Sequence, residues 1–128
     1  MFRYPRGETA MRTQIGKELQ KLRIDRDERM LDMADRLQKS ASFISAVEVG
    51  KKSPPAGFED LVIQVYNIAG SAADAIRRAA DASRKAFLLE PSSALGRDTA
   101  GLLARRINTL SDDQLRDIQS ILQRKGQE

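Results

Sequence analysis

The chain contains no histidine and no cysteine. That removes the usual transition-metal ligands and any Cys/His nucleophile pair. Asp112 and Asp113 follow Ser111 at a helix start, where the positive end of the helix dipole accounts for them. The glycines are scattered and make no phosphate-binding loop. The expectation is a protein that is not an enzyme and uses no cofactor or metal. What remains is the chemistry of hydrogen bonding and charge, concentrated in the run SASFISAVEVGKK from Ser40 to Lys52. It sets hydroxyls at Ser40, Ser42 and Ser45, an aromatic ring at Phe43, and two ammonium groups at Lys51 and Lys52 behind Gly50. A lysine pair either meets phosphate or is simply solvated, and small serines either bond a ligand or pack.

The elements that must position these groups read as short helices. Met33, Ala34 and Leu37 share one face of a helix predicted over about 29–38. Ser40 offers a hydroxyl N-cap to the next, predicted over about 41–49, with Ile44 and Val47 on its inner face. Ala34 is small enough to let the two helices cross steeply. Gly50 takes φ > 0 without steric cost and ends the second helix; Pro54 and Pro55 forbid its continuation. This layout is a helix-turn-helix or, on spacing alone, an ordinary helical hairpin.

Around this pair the pattern is helical throughout. Ile15, Leu19 and Leu22 stripe a helix over about 13–24. Phe58, Leu61, Val62, Val65 and Ile68 point inward from one over about 56–69, punctuated by Gly70. Ser71 is read as capping a helix that reaches Leu88 or Leu89, with Ile76, Ala79, Ala80, Ser83 and Phe87 on one stripe and Arg84 on its solvated side. After a loop at Pro91–Gly96, a helix over about 98–110 carries Leu102, Leu103, Ile107 and Leu110. Ser111 and Gln114 make a capping box for the last helix, striped by Leu115, Ile118, Ile121 and Leu122. No alternating strand pattern or hairpin turn occurs, so the fold class is all-α.

Between Leu22 and Gly50 the chain resembles the XRE (lambda repressor/Cro-type) helix-turn-helix family. The residues that carry the likeness are Leu22-Arg23, Ala34 and Leu37, then Ser45, Glu48 and Gly50. The likeness spans about residues 12–69. It departs at Gln38, where the family usually has glycine, at Lys39 and Glu28, which stand for apolar residues, and at Met30, where Gln is common. The resemblance implies a five-helix lambda-repressor-like DNA-binding domain over 12–70, preceded by a flexible arm at 1–11 and followed by a helical C-terminal extension at 71–128. It implies a third helix in the major groove, with Ala41, Ser42, Ser45 and Ala46 towards base edges. Arg29, Met30, Lys39, Ser40, Phe43, Lys51 and Lys52 are placed by it along the DNA backbone. Arg23 and Glu48 match an internal ion pair. The reading set is a poor one for direct contacts, because the strong partners of bases, Arg, Asn and Gln, are missing from this helix.

Composition is permissive. The 128 residues are 41% hydrophobic but only 5% aromatic, so the core is aliphatic. The formal charge of +4 is split evenly: residues 1–60 carry 12 Lys and Arg against 10 Asp and Glu, and the remainder 10 against 8. A nucleic-acid reading therefore needs a clustered basic face. No apolar run approaches the ~20 residues of a membrane span, and the first ten residues lack the apolar stretch of a secretory signal. The expected setting is cytoplasmic, in a bacterium or on a phage or plasmid, close to the nucleoid.

One helix-turn-helix covers half an operator, so the first function expected is a homodimeric repressor on a palindromic site. The expected dimer interface is Ile76, Ala80, Phe87, Leu103, Ile107, Leu115, Ile118 and Leu122, the alternative being that these stripes pack on their own chain. Residues from about 90 form a helical hairpin too small to make a core alone. Two other functions fit: an antitoxin-like autorepressor whose C-terminal helices bind a toxin (or an anti-repressor), and a protein-interaction adaptor with little DNA specificity.

Overall fold

The computed structural model describes residues 12–124; the N-terminal arm and the last four residues lie outside them. Within that span there are seven α-helices and no strand: α1 (Gln14–Arg26), α2 (Met30–Leu37), α3 (Ala41–Glu48), α4 (Phe58–Val65), α5 (Gly70–Ala82), α6 (Ala94–Arg106) and α7 (Asp112–Gln123), with a 3-10 turn at Ile107–Thr109. The chain divides into two units, the first ending at Phe87 and the second starting at Leu88.

In the first unit α1 lies against both α3 and α5, α2 packs on α3 and α4, and α4 meets α5. The apolar periodicities converge on one core, with Ile15, Leu19, Met33, Leu37, Ile44, Val47, Phe58, Val62, Tyr66, Ile76 and Ala80 all buried. Three of the five helices start at a side-chain cap, while α4 and α5 start without one. Thr13 accepts from Gly16 N at the head of α1, and Ser40 from Phe43 N at the head of α3. Asp32 accepts from Arg29 N at 2.8 Å at the head of α2, a bond that holds its carboxyl below the ordinary carboxylate range.

Three helix ends close with a residue in the left-handed region: Asp27 after α1, Gln38 after α2 and Asn67 after α4. At each, the following amide reaches back across the last turn, as in Lys39 N to Ala34 O at 3.0 Å. Aspartate and asparagine tolerate that backbone; glutamine does so at a cost of about 1 kcal/mol relative to glycine. Gln38→Gly is accordingly expected to raise the unfolding free energy by about 1 kcal/mol in urea titration. A neutral or destabilising result would mean that the α2–α3 turn adopts a different backbone.

Three expectations are corrected here. α5 stops at Ala82 rather than near Leu88, because the Ser83 hydroxyl donates to Ala79 O at 2.8 Å and accepts from Ile15 N at 3.1 Å, turning the chain onto α1. The unit boundary expected after residue 70 falls after Phe87, since α5 completes the first core with Ala73, Ile76, Ala79 and Ala80. Ile76 and Ala80, read as dimer-interface residues, are thus buried within their own unit and present no surface to a partner.

In the second unit α6 begins at Ala94, four residues earlier than expected, because Ser93 caps it by accepting from Gly96 N at 2.9 Å. The Ser111–Gln114 capping box forms with both reciprocal hydrogen bonds. No residue of α6 or α7 is buried.

Candidate nucleic-acid interface

The hydroxyl-and-lysine run resolves into one face built on α3. Ser42 and Ser45 are exposed on it, Ala41 and Ala46 are half-buried at its edges, and Ile44, Val47 and Glu48 turn inward. The Ser40 hydroxyl sits 3.2 Å from that of Ser42 while capping the helix. At the far end Gly50 adopts φ 85°, and Lys52 N donates to Ala46 O at 3.1 Å, which folds the lysine loop back along the helix.

Phe43 joins the lysines from both ends. Its ring meets Phe58 edge-on, with centroids 5.9 Å apart. The ammonium of Lys39 lies 5.5 Å from the same ring and that of Lys52 5.8 Å, within cation–π range. The ring therefore draws two cations to the ends of one short helix. Between residues 38 and 55 the only acid is Glu48, and it is buried. The exposed charge within this stretch is thus Lys39, Lys51 and Lys52, all positive. Arg29 is exposed but shares Asp32 at 3.5 Å, and Met30 packs partly on the core.

Buried charge fixes this face from behind. Glu48, 1% exposed, takes two hydrogen bonds from Arg23, at 2.5 and 3.2 Å. Arg23 also touches the Met33 sulfur at 3.3 Å. The Glu48 carbonyl accepts from both the amide and the hydroxyl of Thr13. The end of α3 is therefore clamped to the start of α1 through both its backbone and its side chain.

No family model, curated protein or solved structure matches the chain. Among the described residues no cluster of acidic groups could hold a metal ion, and no helix is long and apolar enough to cross a membrane.

Two positioning clusters lie beyond what the sequence pattern reveals. Arg84, expected on a solvated helix face, leaves the end of α5 and reaches the loop beyond the lysines. It donates to Pro54 O at 3.0 Å, to Pro55 O at 2.8 Å and to both Glu59 oxygens. These bonds hold the Glu59 carboxyl below its ordinary pKa and anchor the far end of the Lys51–Lys52 loop. Tyr66 lies between Arg26 and Arg36, each guanidinium about 5 Å from the ring, and donates to Glu28 at 2.6 Å. Burial and the Glu28 carboxylate push the phenol above its ordinary value. Glu28, unexpected where apolar residues are usual, is thus satisfied by Tyr66 and by Arg36, 2.6 Å away. Lys39, the other such departure, lies over Phe43.

Proposed function

We propose that the first unit is a helix-turn-helix module of the XRE (lambda repressor/Cro-type) kind, and that the protein is a homodimeric transcriptional regulator, a repressor, acting on a palindromic DNA operator. The observation that carries this reading is the charge around α3: every exposed charged group from Gln38 to Pro55 is a lysine, while the single acid is buried. With α3 in the major groove, Lys39, Lys51 and Lys52 meet phosphates on either side and release counterions. Ser42 and Ser45 offer hydroxyls to base edges, and Ala41 and Ala46 offer methyl groups to thymine. Ser40 combines capping with a bond to phosphate. Since α3 carries no Arg, Asn or Gln, readout leans on water and on DNA shape. Such a regulator works in the cytoplasm, at the nucleoid.

Selection from a random duplex pool tests the reading. An enriched palindrome supports it; a pool that stays random, with equal affinity for all duplexes, refutes sequence-specific regulation. The double variant Lys51→Ala/Lys52→Ala is expected to weaken binding to every duplex alike. It should also reduce the slope of log affinity against log salt by about 2, since each neutralised phosphate contributes ~0.9 to that slope. An unchanged slope would place the lysine loop away from the phosphates.

A further inference from the structure

The second unit leaves its apolar side chains in water. Leu95 is 76% exposed and Leu122 75%, and Leu102 and Ile121 are more than half exposed. α6 and α7 are not packed along one another; only the 3-10 turn between them lies substantially against α6. In front of α6, the segment Leu89–Pro91 walls a groove of about 600 Å³ whose floor is Gly96, Ala100 and Leu103. The small residues make the floor flat enough for close helix approach. α7 carries the complementary shape: Leu115, Ile118 and Leu122 follow the i, i+3, i+7 spacing of a coiled-coil seam.

Charge selects the occupant. α6 carries three arginines, Arg97, Arg105 and Arg106, against one aspartate; α7 carries three aspartates, Asp112, Asp113 and Asp117, against one arginine. The basic pair lies at the C-terminal end of α6 and the acidic group at the N-terminal end of α7. An antiparallel pairing of α6 with α7 joins opposite charges and opposes the two helix dipoles. A parallel pairing of α6 with α6, or of α7 with α7, sets like charges together, and an antiparallel one does not bring the acidic end of α7 against the basic pair of α6.

We propose that the groove on α6 is filled by α7 of a second copy of this chain, each copy giving one helix and receiving the other in a two-fold, four-helix arrangement. The proposal names the surface behind the dimer put forward above and rests on that reading, but its test needs no DNA. Sedimentation of the full chain is expected to give about twice the 14.3 kDa of one copy. Two variants then separate this surface from any other. Arg105→Glu/Arg106→Glu makes α6 acidic, and Asp113→Lys/Asp117→Lys makes α7 basic, all at exposed positions. Each alone is expected to self-associate at least about tenfold more weakly than the parent, because acid meets acid or base meets base. Mixed one to one, they are expected to form a heterodimer, since the reversed α6 then meets the reversed α7 and the unreversed pair is intact. Circular dichroism of each variant should match the parent. A monomeric parent overturns the proposal together with the dimer. A parent dimer that both variants keep, or that mixing fails to restore, overturns this surface alone and leaves the DNA reading to the duplex selection.

Discussion

Glu48→Ala should unfold the first unit more readily by about 3–5 kcal/mol, the usual cost of deleting one partner of a buried ion pair. The magnitude follows from what the deletion leaves behind. Arg23 is 8% exposed, and its remaining neighbour is the Met33 sulfur, a weak acceptor. Arg12 also faces the same carboxylate, its Nε 3.9 Å from Glu48 Oε1 and buried without a hydrogen-bond partner. Without Glu48, two guanidiniums share one small cavity with no acid between them. For a unit of this size the change corresponds to a fall in Tm of more than roughly 12 °C. Glu48→Gln, which keeps an acceptor oxygen but not the charge, should fall between the parent and the alanine variant. The double variant Arg23→Met/Glu48→Leu should recover part of the loss, because it removes the bidentate pair whole while Arg12 still loses its acid. Thermal melts of the four proteins form the check. An unchanged Tm for Glu48→Ala would mean that the arginines rehydrate freely and that α3 is not tied to α1 in solution.

That pair is legible in the sequence only through the resemblance to the XRE family, whose internal ion pair Arg23 and Glu48 match. The caps need no such likeness: Ser40 and the Ser111–Gln114 box act within their own helix turn, so spacing alone locates them. What spacing misses is an interaction whose partner is far along the chain. Arg84 continues the 3.6-residue period of α5 as a solvated position, yet its partners Pro54, Pro55 and Glu59 are 25 to 30 residues away. Ile76 and Ala80 form one apolar stripe in the sequence, but a stripe does not say whether it faces its own core or another chain. Here it faces α1 and α4. The same gap explains the start of α6: Ser93 is as good a cap as any serine in the Pro91–Gly96 loop, and only the bond from Gly96 N distinguishes it.

Gly16→Ala is expected to be destabilising even though it places a better helix former inside α1. Alanine exceeds glycine by about 1 kcal/mol within a helix, so propensity alone predicts a gain. The surroundings reverse the sign. A Cβ at Gly16 would collide with the carbonyl oxygen of Glu48 and lie 2.9 Å from its Cα, and both atoms are backbone. No rotamer change relieves such a clash. Either α1 backs away from the end of α3 or the carbonyl gives up its two bonds from Thr13. Overpacking of this kind costs about 1–3 kcal/mol, so a net loss of up to roughly 2 kcal/mol in urea titration follows. Gly101 in the middle of α6 supplies the control. A Cβ there meets nothing closer than the tip of Arg105 at 3.7 Å, so the same substitution should raise helix content. The displaced atom at Gly16 is the last carbonyl of α3, two residues before the Gly50 turn that launches the lysines. Gly16→Ala is therefore also expected to weaken duplex binding, and Gly101→Ala to leave it unchanged. Should the two variants melt and bind alike, the close approach of α1 to α3 would be absent in solution, and the Lys51–Lys52 loop would owe its position to Arg84 and to the bond from Lys52 N to Ala46 O.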